Sequence, residues 1–193
     1  MGLGKKPEGQ TREARRSSPS FRREFVLFLI LFFVLWLLSF LLTRRYPGFV
    51  NALQLLVARE VAWSLEQLGY RFVREGWIFT FYAAHGGERL IVIPECTGLY
   101  ATIIYCSIIG AYPARAVEKL AGVLIGVPLI HLLNLLRMVF ISLVLYHRRD
   151  LFGLFHGYLW QVGFVVVMLL MVVVWMDRVS RGSGEARRGG SGA

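Results

Sequence analysis

Residues 25–42 read FVLFLILFFVLWLLSFLL, eighteen positions without a charged side chain. A helix of about 20 apolar residues crosses a bilayer core about 30 Å thick, so this run is long enough for a marginal span. Thr43, Arg44 and Arg45 follow directly, without a small-residue cleavage site, which indicates an uncleaved anchor rather than a signal peptide. The run therefore predicts a membrane protein whose first helix stays in the bilayer.

The composition of the whole chain also favours a membrane protein. Of its 193 residues, 56% are hydrophobic and 18% are charged, against about 45–50% apolar and about 25% charged in soluble domains. A free-standing soluble globule and a disordered chain are both excluded. The formal net charge is +10, but seven of the 22 Lys and Arg precede the first apolar run and four follow the last. This distribution favours two cytoplasmic tails facing anionic lipid over nucleic-acid binding.

Four apolar runs predict a mainly α, polytopic fold with both termini in the cytoplasm. After the anchor, the runs cover residues 97–112, 120–146 and 158–176. The second run has only sixteen residues, so a re-entrant segment is its alternative. The third run is longer than a bilayer and must tilt or project. We therefore expect four transmembrane helices.

These helices define the predicted domain boundaries. The membrane domain covers residues 24–176, with a basic, disordered tail over 1–23 and a flexible, basic tail over 177–193. Within the third run, Gly122 and Gly126 form a small-xxx-small step at which a neighbouring helix can approach closely.

Residues 46–95, between the first two runs, are too polar to span the membrane. Apolar residues recur at helical spacing over 49–68 and are interrupted by charged ones, which is typical of an amphipathic helix at a membrane interface. Residues 70–82 and 89–93 are rich in aromatic and β-branched side chains, and a turn at 85–88 separates them, which predicts a β-hairpin. We expect the helix and the hairpin to form a small extracytoplasmic cap.

Arg137 lies in an otherwise uncharged run, NLLRMVFISLVLY. A guanidinium facing lipid costs at least about 2.5 kcal/mol, so the side chain either snorkels to the outer interface or faces a polar site inside the bundle. Asn134 and His131 precede it by one and two helical turns, and such a polar stripe favours the inward orientation. Asn134 is a candidate for orienting the guanidinium or a substrate amide, whereas His131 fits a packing role.

Cys96 stands at the predicted start of the second helix, where the helix dipole should lower the pKa of a thiol. The backbone N–H groups of Thr97 and Gly98 are candidates for binding an oxyanion there. The alternative is a buried hydrophobic cysteine, and Cys106 inside the helix fits that alternative. The two cysteines are ten residues apart, about 15 Å along a helix, so no disulfide is expected between them.

His156 precedes the fourth run, on the same predicted side of the membrane as Cys96. Together with Arg137, these residues supply a nucleophile, a base and an anion stabiliser from three segments. Their order along the sequence does not determine whether the three side chains lie close together in the folded protein. The four histidines lack metal-ligand spacing, and no P-loop, HExxH or dinucleotide motif occurs, so no metal or cofactor is predicted.

Three segments carry a resemblance to a known family: PECTGLYATIIY (94–105), HLLNLLRMVFISLVLY (131–146) and FHGYLWQVGF (155–164). In order and context they resemble the exosortase and archaeosortase family, most closely its short members of the H type. Cys96, Arg137 and His156 are similar to the Cys, Arg and His of that family. The residue after the cysteine, Thr97, resembles the archaeal branch of the family, since bacterial members more often carry Asn or Ser at this position.

The resemblance implies a polytopic cysteine transpeptidase of the cell membrane, with its site at the extracytoplasmic face. Such enzymes recognise secreted proteins by a C-terminal sorting signal of a short motif, a transmembrane helix and a basic cluster. They cut near the motif through a Cys thioester and pass the acyl group to a membrane acceptor, for which a lipid is a candidate. The partners expected here are these substrates and membrane lipids, without nucleic acid. The alternative function is a non-enzymatic membrane scaffold that binds a partner through the cap.

Overall fold

The computed structural model describes residues 19–83 and 86–189 of the chain. Six α-helices and one three-stranded antiparallel sheet form the regular structure of this part. A 3-10 turn precedes the third helix, and a π-helical turn joins the last two. In chain order the elements are α1 Pro19–Arg45, α2 Pro47–Gln67, β1 Phe72–Glu75, β2 Ile78–Ala83, β3 Gly86–Ile91, the 3-10 turn Pro94–Thr97, α3 Leu99–Ala111, α4 Ala116–His147, α5 Arg149–Leu154, the π-turn Phe155–Leu159 and α6 Trp160–Gly189.

The first and last helices extend past the predicted boundaries of the membrane domain. α1 begins at Pro19, inside the predicted tail 1–23, whose residues 1–18 lie outside the described part. α6 continues to Gly189, so the segment after residue 176 is helical where a flexible tail was expected. A helix already formed in an apolar run gains one hydrogen bond for each residue added, which favours its extension into polar sequence.

Three helices in the described part are long and apolar enough to cross a bilayer, namely Arg22–Arg45, Ala116–His147 and Arg149–Arg181. The predicted second span is represented by α3, which has 13 residues and a length of about 20 Å, less than the bilayer core of about 30 Å. The prediction of four spanning helices is therefore not confirmed. α3 is short because Gly98 precedes it with φ +76 and Pro113 follows its extended C-cap residue.

The small-residue step on α4 lies against two aromatic side chains. Tyr105 of α3 covers Gly126 and donates its hydroxyl proton to the Gly122 carbonyl at 3.0 Å. Trp175 of α6 covers Gly122 and donates its indole N–H to the Glu118 carbonyl at 3.1 Å. A Cβ at either glycine would overlap the facing ring. The predicted close approach is confirmed, although the approaching groups are side chains rather than helix backbones.

The predicted hairpin is instead a three-stranded antiparallel sheet. Residues 70–82, expected as a single strand, divide into β1 and β2 at the two-residue turn Gly76–Trp77, with Glu75 opposite Ile78. Gly76 has φ +63, a conformation that glycine adopts without a Cβ clash. β2 pairs in turn with β3, which is the predicted hairpin pairing. Residues 86–88, expected in the turn, belong to β3 instead, and residues 84–85 lie outside the described part.

The cap, formed by α2 and the sheet, packs on one end of α4. Tyr70 and His147 share a hydrogen bond at 2.9 Å, and Arg149 pairs with Glu88 at 2.7 Å. The 32 residues of α4 extend about 48 Å, so the helix reaches beyond a bilayer to meet the cap.

The cap and α4 share one apolar core. It contains Val57, Ala58, Val61, Ala62 and Leu65 of the amphipathic α2, Phe79, Phe81, Leu90 and Val92 from the sheet region, and Met138, Ile141 and Leu145 of α4.

Gly126→Ala should destabilise the protein, because the added methyl group would overlap the Tyr105 ring. Overpacking of this kind costs about 1–3 kcal/mol, which thermal unfolding in detergent micelles would register as a lowered midpoint. Gly163→Ala in α6 is the matched control, since nothing lies within 4 Å of its added Cβ. Equal midpoints for the two variants would contradict the packing of Tyr105 on Gly126.

Candidate active site

Cys96 lies in the 3-10 turn between the cap and α3. Pro94 begins this turn, and the Cys96 N–H donates to the Ile93 carbonyl at 2.8 Å. The side chain is buried, with 3% of its surface exposed. Gly98 ends the turn with φ +76, and α3 begins only at Leu99. The cysteine therefore precedes the helix, rather than lying in its first turn.

Thr97 and Gly98, the predicted substrate-orienting residues, both shape this turn. Thr97 Oγ1 donates to the Pro94 carbonyl at 2.7 Å and accepts the Leu99 N–H at 3.3 Å. Gly98 lies against Asn134, and a Cβ at Gly98 would be 3.3 Å from the Asn134 Cβ and Cγ. Both residues therefore have a structural role in holding the turn, and a contact with substrate stays a prediction.

Asn134 connects the Cys96 turn to α4. Its Nδ2 donates to the Cys96 carbonyl at 2.8 Å, and the side chain is fully buried. Its Oδ1 has no hydrogen-bond partner. The polar stripe in the sequence predicts that Asn134 orients a guanidinium or a substrate amide. The structure adds a different role, because the amide also holds the backbone of the cysteine.

Arg137 lies one helical turn beyond Asn134 and is half-buried. Its Nε is buried without a hydrogen-bond partner, and none of the ion pairs formed by the described residues includes it. Its positive charge acts on both the Cys96 thiol and the His156 imidazole. Side chains from two other segments are thus within Coulomb range of one guanidinium that lacks a carboxylate partner.

His156 lies in the π-turn ahead of α6. Its ring stacks on Phe152, with 5.1 Å between centroids and 7° between planes, and its Nδ1 is buried without a hydrogen-bond partner. None of the hydrogen bonds in the described part of the chain joins His156 to the Cys96 thiol. The two residues share the field of Arg137 but do not contact each other as a base and nucleophile would during proton transfer.

Trp160 was not predicted from the sequence, but it shares a property with Asn134, Arg137 and His156. Its indole Nε1 is also buried and lacks a hydrogen-bond partner. A tryptophan at the edge of an apolar run normally indicates an interfacial anchor. The signal available in the sequence was its spacing of four residues from His156 in FHGYLWQVGF, which corresponds to about one helical turn.

His131 lies apart from these residues. Its Nε2 is 2.8 Å from Glu60 Oε2, which connects α4 to α2. Because the imidazole has a partner of its own, the packing role expected for His131 agrees with its position.

The Cys96 turn lies at the depth where α1 leaves its apolar run. The rings of Phe40 and Tyr100 are 6.4 Å apart, and α1 and α3 run antiparallel. Arg44 lies one turn beyond Phe40, and Cys96 lies about one turn before Tyr100. The thiol and the charged end of α1 are therefore at a similar depth, which is close to a membrane–water boundary.

Burial raises the pKa of the Cys96 thiol above its ordinary value. The Arg137 guanidinium and the hydrogen bond to Ile93 act in the opposite direction, and the Glu95 carboxylate adds to the rise. The predicted lowering of this pKa is wrong, because the thiol is buried and precedes the helix whose dipole was expected to act on it. The free thiol is therefore protonated at neutral pH.

Two cavities lie away from this group of residues. One of about 540 Å³ follows the corner between α1 and α2, from Leu42 to Phe49. The other, of about 480 Å³, lies between α4 and α6 beside Gly122 and Trp175. Cys96, Arg137 and His156 line neither of them.

Long apolar helices and a thiol beside an unpaired arginine at a membrane boundary define a membrane protein with a candidate cysteine site. The family model described as Transmembrane exosortase (Exosortase_EpsH) matches residues 17–176. The chain therefore belongs to the transmembrane exosortase family, in agreement with the resemblance found in its sequence.

About half of the chain is similar to a known archaeal protein. Archaeosortase A of Haloferax volcanii is 36% identical over 109 residues. The match covers 53% of this chain and 36% of that protein, so the chain spans about a third of its relative's length. No solved structure matches the chain.

In a Cys106→Ala protein, where Cys96 is the sole cysteine, labelling by iodoacetamide should accelerate as the pH rises beyond the ordinary thiol range. The reason is that burial raises the pKa and the reactive thiolate forms late. Arg137→Gln removes a charge that favours the thiolate, so it should move the pH dependence of the labelling rate to higher pH and slow labelling several-fold. Arg137→Lys keeps the charge and should label at nearly the rate of the Cys106→Ala protein. Mass spectrometry measures the labelled fraction. A profile that Arg137→Gln leaves unmoved would contradict the proximity of the two side chains.

Gly98→Ala should lower the unfolding midpoint more than Gly76→Ala does. Both glycines have positive φ, so alanine costs about 1–2 kcal/mol at either position. The methyl group added at Gly98 also presses on Asn134, whereas nothing lies within 4 Å of the one at Gly76. The iodoacetamide labelling rate of Cys96 should therefore change in Gly98→Ala alone. The same rate in both variants would argue against a link between Gly98, Asn134 and the cysteine.

Proposed function

We propose that this chain is a membrane cysteine transpeptidase that cleaves the C-terminal sorting signal of secreted proteins. The observation that carries the proposal is that one guanidinium without an ion-pair partner, that of Arg137, lies within Coulomb range of both the Cys96 thiol and the His156 imidazole. Membership of the transmembrane exosortase family and the similarity to an archaeosortase support the same chemistry.

In the proposed first step, the Cys96 sulfur attacks the carbonyl carbon of a substrate peptide bond. The thiol proton passes to His156, which then delivers it to the leaving amine as the C–N bond breaks and a thioester forms. Arg137 stabilises the negative oxygen of the tetrahedral intermediate. A nucleophile on the acceptor, for which a lipid is the candidate, then attacks the thioester carbonyl carbon. The C–S bond breaks, the acyl group stays on the acceptor, and the acceptor's proton passes through His156 to the sulfur, which returns to its thiol form.

Because the pKa of Cys96 is raised, the proposed reaction requires His156 to act as the base that removes the thiol proton. A thiol that is neutral at rest does not react until a base removes its proton. Because His156 makes no hydrogen bond to the thiol in the free protein, the proposal requires the two side chains to approach each other when substrate binds. Catalytic hydrogen bonds often tighten in this way only in the complex.

The bilayer contributes to the proposed reaction through the substrate's own transmembrane helix. A substrate anchored in the same membrane searches two dimensions and arrives with its scissile region at a fixed depth. The Cys96 turn lies near the depth of Arg44, at the charged end of α1. We place this end at the extracytoplasmic face of the cell membrane and both termini in the cytoplasm, because basic residues flank the first and last apolar runs on their terminal sides. This proposed topology requires the short α3 to carry the chain back across the membrane between α1 and α4.

The test is processing of a secreted reporter that ends in a sorting signal taken from the same genome. Co-expressed with the intact chain, the reporter should lose its C-terminal helix, which a gel shift detects. Cys96→Ala should abolish the shift. Cys106→Ala, which removes the other of the two cysteines, should leave processing intact and serves as the matched control.

Hydroxylamine provides a second measurement, since it cleaves thioesters. A covalent reporter adduct that is sensitive to hydroxylamine and absent from Cys96→Ala would support the acyl-enzyme. Full processing by the Cys96→Ala chain would overturn the nucleophile assignment. Insertion of every variant into the membrane is checked by fractionation, so that loss of processing is not confused with loss of the protein.

A further inference from the structure

Four buried polar side-chain atoms in the described part of the chain have no hydrogen-bond partner. Native proteins keep few such atoms, because a buried donor or acceptor without a partner is costly. All four belong to two short segments, one turn of α4 and the passage from the π-turn into α6. They are Asn134 Oδ1, Arg137 Nε, His156 Nδ1 and Trp160 Nε1.

The two segments pack against each other. Phe140, three residues after Arg137, contacts the Trp160 ring at 5.5 Å between centroids. The Arg137 charge acts on His156. Trp160 also packs against the apolar core that contains Cys96. The indole therefore packs against the core to which the candidate nucleophile belongs and is not an isolated interfacial side chain.

The π-turn places Trp160 in this position. The backbone N–H of Trp160 donates to the Phe155 carbonyl, five residues earlier, instead of to the residue four earlier as in an α-helix. Single π-turns of this kind occur frequently at functional sites. A tryptophan at a membrane interface usually directs its N–H towards water or a lipid headgroup. The buried Nε1 of Trp160 differs from that pattern.

We propose that Trp160 is a substrate-binding residue whose indole N–H donates a hydrogen bond to a main-chain carbonyl oxygen of the bound peptide. The inference rests on the proposed function, because it requires a peptide beside Cys96. An indole N–H is a donor only, so its partner must be an acceptor, and a peptide presents a carbonyl oxygen at every residue.

Asn134 supplies the complementary half of this recognition. Its free Oδ1 is an acceptor and the free Nε1 of Trp160 is a donor, yet the two do not bond to each other. A peptide chain offers an N–H to the first and a carbonyl oxygen to the second. Because both groups are main-chain groups, this contact holds the substrate backbone whatever its side chains are.

The experiment compares two thiol reagents on the full chain in a Cys106→Ala background. Acetyl-Ala-Ala-Ala chloromethyl ketone carries a peptide chain, whereas iodoacetamide is too small to span the site. Trp160→Phe keeps an aromatic ring beside Phe140 and removes the N–H. It should slow alkylation of Cys96 by the peptidyl reagent about threefold to tenfold, the range for one hydrogen bond, and leave the iodoacetamide rate unchanged.

Trp175→Phe is the matched control. The Trp175 N–H already has a partner, the Glu118 carbonyl, so this variant should lose thermal stability and keep both alkylation rates. Trp160→Phe should keep its thermal stability, because its N–H has no partner within the protein to lose, and should slow alkylation by the peptidyl reagent alone. Unchanged peptidyl alkylation in Trp160→Phe, or an equal slowing of both reagents, would overturn the assignment.

A second measurement separates failure of this inference from failure of the proposed function. In a Cys96→Ala chain with ¹⁵N-labelled tryptophan, each of the five tryptophans gives one indole N–H signal. Acetyl-Ala-Ala-Ala methyl ester should move the Trp160 signal downfield, whether or not Cys96 is a nucleophile. If the signal stays in place while the reporter is still processed, the role of Trp160 is wrong and the proposed function stands.

Discussion

The hydrogen bond from Asn134 Nδ2 to the Cys96 carbonyl, at 2.8 Å, joins the two halves of this protein. On one side is the cap, whose chain runs from β3 into the turn that carries the cysteine. On the other is α4, the long helix that carries Asn134 and Arg137 one turn apart. Because the amide is fully buried and the turn ends at a glycine pressed against it, this contact holds the backbone of the cysteine against the helix that carries the guanidinium.

The site combines two electrostatic effects of opposite sign. Burial disfavours the Cys96 thiolate, and the nearby charge of Arg137 favours it. With burial the larger effect, the resting protein holds a neutral thiol beside a cation that has no carboxylate to neutralise it. Negative charge that develops at this place, on sulfur or on a carbonyl oxygen, would meet a guanidinium already in position. In the proposed reaction, such an arrangement would keep the thiol unreactive until a substrate binds.

Much of the architecture follows from local patterns that a single segment carries. Apolar runs predict α1, α4 and α6, and helical spacing of apolar residues predicts α2, because burial in lipid or in a cap selects residues by one repeating period. The shortness of α3, which covers Leu99–Ala111 of the predicted run 97–112, and the third strand were not predicted. Both depend on a single glycine: Gly98 delays the start of α3, and Gly76 divides one expected strand into two. A positive φ leaves only a weak signature in sequence.

The sequence by itself determined that the chain lies in a membrane, that three of its apolar runs are long enough to cross it, and which polar residues are costly to keep there. Cys96, Arg137, His156 and Asn134 could be selected because each is unusual for its own segment. The tertiary structure decided how they relate: that Asn134 holds the cysteine backbone, that the thiol is buried, and that Trp160 belongs to the group. These properties depend on contacts between residues about 20 to 40 positions apart in sequence, whose distances no local pattern encodes.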